Sequence, residues 1–138
     1  MSEQEVWYRP NSSTVSAGNL VLHLCGNVQQ WLISGLGGAP DNRNRQAEFD
    51  ETGPLPTSEL LTHLDDLQLA IQQVLPKLTQ TDLTAKLKIQ GFEVTGLSVL
   101  VHVVEHFSYH VGQVTFMVKS RKDVDTGYYQ NLDLDITN

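Results

Sequence analysis

The stretch from Val101 to Gln113, "VHVVEHFSYHVGQ", constrains the chain more than any other. It lies inside an apolar run from about Thr95 to Lys119. Such a run reads as one helix of roughly seven turns. Thr95 can cap it, and Lys119, Arg121 and Lys122 suit the negative end of its dipole. It is apolar nearly all round, which predicts a central, buried helix. Yet three histidines, His102, His106 and His110, recur along it at intervals of four.

Two more helices are expected around it. In "NSSTVSAGNLVLHLCGNVQQWLISGLGG", Leu20, Leu24, Val28, Trp31 and Leu32 recur at helical spacing. Ser12 to Thr14 offer cap oxygens, and Gly35, Gly37 and Gly38 end the element. The next helix opens at Thr57 or Ser58. Leu60, Leu64, Leu67, Ile71, Val74 and Leu78 form its seam, and Pro76 breaks its last turn. Between these two helices, "APDNRNRQAEFDETGPLP" is a long polar loop. "TQTDLTAKLKIQGFE" is a connection with a short extended piece at "LKIQGF", and the tail "DVDTGYYQNLDLDITN" has no helical period. The expected fold is mainly α, a single domain over 1–138.

The net charge of −7 argues against a nucleic-acid partner, which would want a basic face. No stretch holds 18 apolar residues, so no membrane span is expected. One cysteine, Cys25, allows no internal disulfide, and the polar N-terminus lacks the pattern of a signal peptide. A cytoplasmic protein is expected.

On a helix each residue turns by about 100°. With His102 at zero, Gln113 falls near ~20°, His106 near ~40° and His110 near ~80°. Phe107, Val111, Val114 and Val118 fall roughly 120–180° round, so the histidine stripe borders the core. Histidines at i and i+4 can both reach one metal ion. Three turns of one helix span too far to meet at one ion, so a third ligand should come from another helix. His23 is the candidate, on a polar strip with Asn27, Gln30 and Ser34. The alternative is that this strip faces water. His63, among Asp65, Asp66 and Gln68, reads as solvent-exposed. Cys25 lies roughly 160° round from His23 and should point into the core, a poor nucleophile. The protease motif H-E-x-x-H is absent, since Phe107 follows His106.

"EHFSYHVGQ" resembles the histidine signature H-x-x-x-H-x-x-Q of the DinB superfamily, which includes YfiT-like proteins. His106, His110 and Gln113 fill it. "NLVLHLCGNVQQWLISGLGG" looks like that family's helix with the first metal histidine, here His23, and "DNRNRQAEF" and "GYYQNL" resemble one branch. The resemblance covers roughly Trp7 to Leu132. It implies an up-down helical bundle with one divalent ion on His23, His106 and His110. It also implies, for some relatives, thiol-dependent transferase or isomerase activity. The usual helix ahead of the first histidine has no counterpart here, so three long helices and a long loop are expected.

Three imidazoles would leave a coordination position open. Gln113, His102 and Asn27 are expected beside the ligands. Gln30, Arg43 and Arg45 are expected on the substrate side. Zinc or nickel is the expected ion, with iron or manganese as alternatives, and a low-molecular-weight thiol is a candidate cofactor. The expectation is a metal-dependent thiol S-transferase or hydrolase acting on a small molecule. Its rival is a non-catalytic protein stapled by its ion. A homodimer is expected to cover the groove left by the missing helix, where Leu97 and Val101 share a side with Ser108 and Thr115. The alternative cover is the chain's own loop or tail, through Phe49, Tyr128 and Tyr129.

Overall fold

The structure is a computed structural model and describes residues 1–53 and 55–136. Pro54 of the expected loop and Thr137–Asn138 of the tail lie outside these residues. The fold is a mainly α bundle. Its helices are α1 (Glu3–Val6), α2 (Ala17–Val28), α3 (Arg45–Asp50), α4 (Thr57–Val74), α5 (Gln80–Thr84) and α6 (Gly96–Lys122). Two strands, β1 (Lys86–Ile89) and β2 (Phe92–Thr95), stand just before α6.

α2 starts later than the serine-rich stretch suggests. Ser16 is its cap, not Ser12 to Thr14. The Ser16 hydroxyl accepts from the Asn19 N–H, and the Asn19 side chain returns the bond to the Ser16 N–H. This reciprocal cap satisfies two donors that a helix start leaves free. Past Val28 the helix widens into a π-helical segment, Gln29–Leu36. Gly35 therefore continues the element, and it closes at Gly37, whose N–H donates to Leu32 O at 2.8 Å.

The long loop holds a helix that its composition hides. Asn44 caps α3 by accepting from the Ala47 N–H. α4 ends at Val74, and Pro76 falls in a tight 3-10 turn over Leu75–Lys77, as expected of a residue without an N–H. "LKIQGF" is the heart of an antiparallel hairpin that pairs Lys86 with Thr95 and Ile89 with Phe92. Gln90 and Gly91 make its turn with φ of 50° and 85°. Positive φ at both positions suits the twist of a two-residue hairpin. Thr95 then caps α6 by accepting from the Ser98 N–H.

α2 packs on both α4 and α6, so it is the central helix. Val28, Trp31, Leu32, Leu67, Ile89, Val99 and Val103 form the core around its C-terminal half and the π segment. The expectation that α6 is buried all round is therefore wrong. Only Gly96, Val99 and Val103 of α6 are buried. Val104 is 67% exposed and Phe116 73%, and Leu97 and Val101 are exposed beside them. A long helix flanked on one side alone keeps its other faces in water, whatever its composition.

The N-terminal segment docks onto the bundle. The Trp7 indole N–H donates to Leu55 O at 2.9 Å. Arg121 donates to Glu5 O at 3.0 Å, and Lys122 pairs with the Glu5 carboxylate at 2.6 Å. The tail reaches α6 through Tyr128, whose hydroxyl lies 2.8 Å from Thr115 Oγ1. Tyr128 and Tyr129 nonetheless stay exposed, and Phe49 packs on His23 rather than over the α6 face. Among the described residues, no helix is long and apolar enough to cross a membrane.

Candidate metal centre

α2 carries His23 and α6 carries His106 and His110, one turn apart. The docking of α6 on α2 brings the three rings together. One ring nitrogen from each lies within 4.8 Å of the others. His23 Nε2 is 3.2 Å from His106 Nε2. Ring centroids are 5.1 Å apart for His23 and His110 and 4.6 Å for His106 and His110. Donors bound at ~2.0–2.1 Å to a tetrahedral zinc stand roughly 3.3 Å apart. The first pair already has that spacing, and side-chain motion on the order of 1 Å would close the rest. The strip of α2 that holds His23 faces the bundle, since His23 is buried at 6% exposure and Asn27 at 4%.

The other nitrogens show which atoms are free. His23 Nδ1 lies 2.9 Å from Glu48 Oε2. His110 Nδ1 lies 2.7 Å from Gln113 Oε1. The nearest partner of each Nδ1 is thus an oxygen that accepts, which puts the ring proton on Nδ1 and frees the Nε2 lone pair; at His23 the Arg43 Nη2 stands farther off, at 3.2 Å. His106 Nδ1 is buried with no hydrogen-bond partner among the described residues. Burial lowers the His106 pKa to about 4, and neighbouring His110 and His23 add to the shift. Burial also lowers that of His110, against the pull of Gln113. Neutral imidazole is the form that binds metal. Two rings held at the far nitrogen, beside a third whose pKa burial lowers, fit a divalent ion.

Around this trio the remaining expected residues take distinct places. Gln113 also donates to the Tyr109 hydroxyl at 3.2 Å. His102 stacks on Trp31 at 3.9 Å between centroids, and its Nε2 is 3.2 Å from Asn27 Nδ2. Its ring is 5.3 Å from that of His106, next in the row. Arg43 does not reach into solvent. Its side chain is 3% exposed and forks onto Glu48, with Nε to Oε1 at 2.6 Å and Nη2 to Oε2 at 2.9 Å. Gln30 accepts from Arg43 Nη1 at 3.0 Å and donates to Asp41 at 2.7 Å. Arg45 stands outside this network, its guanidinium 4.8 Å from the Phe49 ring centre.

Glu48 is the site residue that reading the chain alone overlooked. Its sequence signal was weak: a lone acid in a polar loop, 25 residues from His23. Burial raises its pKa, but hydrogen bonds from Arg43 and His23 outweigh this and bring it below the ordinary value, so it is ionised. Behind the Arg43–Glu48 pair, a cavity of about 480 Å³ opens between α2, α3 and α4. Cys25 and His63 line it, and neither belongs to the histidine trio. His63 is exposed, as expected. Burial, with some help from the charge on Glu48, raises the Cys25 thiol to about 11, so it is a weak nucleophile.

The family described as "Protein of unknown function (DUF1572)" matches residues 1–133 of the chain. The chain belongs to DUF1572. No curated protein and no solved structure matches it. The histidine trio of this DUF1572 chain lies within the matched residues and joins α2 to α6.

Proposed function

We propose that this DUF1572 chain binds one divalent ion through His23, His106 and His110. In our reading it acts on a small molecule as a metal-dependent enzyme of the DinB type, a thiol-dependent S-transferase or a hydrolase. One observation carries the metal reading: three histidine nitrogens from two helices lie within 4.8 Å of one another. The resemblance of "EHFSYHVGQ" to the DinB signature supports it independently.

A bound ion with an open position would lower the pKa of water or a thiol, or polarise a carbonyl. The chain's residues do the positioning. Glu48 holds His23, Gln113 holds His110, and His102 stands beside them to orient what approaches. A structural staple would want a fourth protein ligand. Glu48 is the nearby carboxylate, and it is already committed to His23 Nδ1 and Arg43. That favours the open, catalytic reading. Three imidazoles suit zinc, nickel or iron better than manganese. The single cysteine suits the cytoplasm. The exposed side chains of Leu97, Val101 and Val104 along α6 support a homodimer.

Metal analysis of protein purified without a nickel column tests the first step, and a thiol-conjugation screen tests the second. One equivalent of ion with thiol-dependent turnover is expected. Protein that never takes up an ion would sink the reading. A tightly held ion with no turnover on any thiol or ester probe would leave only the staple.

A further inference from the structure

Gly26 follows His23 by three residues on α2. A Cβ there would collide with Glu48 Oε1 and come within 2.9 Å of Arg43 Nε. The Arg43–Glu48 pair thus lies flat against the helix, on a spot that only glycine leaves open. The pair is sheltered, with side-chain exposures of 3% and 10%. Two parallel N–H bonds fix the carboxylate in plane. The oxygen nearer His23 then meets Nδ1 at 2.9 Å.

A neutral imidazole carries its proton on either nitrogen and can flip its ring, so an unheld histidine offers a metal the wrong atom part of the time. At His23 two neighbours compete for Nδ1: Glu48 Oε2 at 2.9 Å and Arg43 Nη2 at 3.2 Å. Nδ1 cannot donate to one and accept from the other. The carboxylate contact is shorter, and a carboxylate oxygen can only accept, whereas the second Nη2 hydrogen has another acceptor in the His23 carbonyl at 3.5 Å. Nδ1 therefore donates to Glu48, and Nε2 keeps its lone pair, facing His106.

We propose that Glu48 and Arg43, seated on Gly26, are positioning residues for His23. Glu48 fixes the ring and holds its proton on Nδ1, Arg43 aims Glu48, and Nε2 is thereby the atom offered to the ion. The half that concerns the ion rests on the metal reading above. The half that concerns the proton does not.

The test uses metal-free protein first. Two-bond proton–nitrogen correlation of the imidazoles reports which nitrogen of His23 is protonated. Nδ1–H is expected in the wild type and in Glu48→Gln, whose amide oxygen still accepts. Glu48→Ala should shift His23 toward Nε2–H. Zinc affinity is then measured by competition with a chromophoric chelator. Glu48→Ala should lose on the order of 10–100-fold, and Glu48→Gln less. Should Glu48→Ala fail to fold with Arg43 left unpaired, the double variant Arg43→Met/Glu48→Leu removes both charges, and the same loss of Nδ1–H is expected. Persistent Nδ1–H without the carboxylate, or zinc affinity within about 3-fold of wild type, would overturn the proposal. The two readings fail separately. A wild type that binds no zinc but needs Glu48 for its Nδ1–H form refutes the metal centre alone. A wild type that binds zinc no better than Glu48→Ala refutes the positioning role alone.

Discussion

Gly26→Ala is expected to destabilise the protein, against the usual sign for such a change. In a helix interior alanine is better than glycine by ~1 kcal/mol. At position 26 the new methyl meets Glu48 Oε1 and Arg43 Nε. The far end of a glutamate can usually swing away at little cost. Here it is held by Arg43 at 2.6 Å and by His23 at 2.9 Å, and both its partners are buried. Pushing it aside splits a buried ion pair, which costs about 3–5 kcal/mol when one charge is left unpaired. Subtracting the helix gain leaves a net loss of ~2–4 kcal/mol. For a domain of this size each kcal/mol moves Tm by roughly 3–5 °C, so a fall on the order of 10 °C is expected. Thermal unfolding followed by circular dichroism reads it. The companion measurement places Gly26→Ala in an Arg43→Ala/Glu48→Ala background. With the obstruction gone, the substitution should raise Tm by a few degrees, since the ~1 kcal/mol helix gain is then unopposed. A rise in Tm for Gly26→Ala in the wild-type background would refute the packing argument.

Further outcomes are expected. His106→Ala and His110→Ala should each abolish stoichiometric metal uptake by equilibrium dialysis, while His63→Ala, on the exposed face of α4, should not; equal loss in all three would mean the ligands are misassigned. Gln113→Ala should weaken uptake by about 10–100-fold, because His110 loses the oxygen that holds its Nδ1. The His106 pKa lies near 4, below its ordinary 6.5, so the folded protein binds fewer protons than the unfolded chain in that window. The stability from the neutral ring is therefore complete above 6.5 and is lost as pH falls towards 4, and urea midpoints of metal-free protein should drop over that span; a flat profile would contradict a buried, neutral His106. Light scattering at micromolar concentration should give twice the 15.4 kDa chain mass if the exposed α6 face pairs with a second copy, and a single-chain mass would exclude the dimer.

The long helices were legible because their apolar residues repeat at a helical period that needs no knowledge of the neighbours. Thr95 was readable as a cap for the same local reason, and "LKIQGF" as an extended piece, though its folding into a hairpin about Gln90 and Gly91 was not. Where several signals compete locally, the reading failed. Ser12, Ser13 and Ser16 are all credible caps, and only Asn19, returning its bond to Ser16, decides among them. α3 is 6 residues long, too short for any period to emerge from its polar sequence. The widening of α2 at Gln29 leaves no residue type as its mark. The burial of α6 was misjudged because periodicity tells which residues share a face, not whether another helix covers that face. At the site, the i, i+4 pair and His23 were legible from spacing and resemblance. Glu48 was not, since its role depends on a bend of the intervening chain that brings α3 across Gly26.

His23 and His106 are 83 positions apart along the chain. During synthesis, at about 5–20 residues per second, the first is made several seconds before the second. Until α6 has left the ribosome and docked, His23 is a solitary imidazole with no more hold on a metal than any other. An ion bound by all three rings could therefore not template early folding of α2. An ion held by all three rings could be captured only once α6 has docked on α2, and its capture would report that docking. A chain stopped anywhere before His106 would lack two of the three proposed ligands.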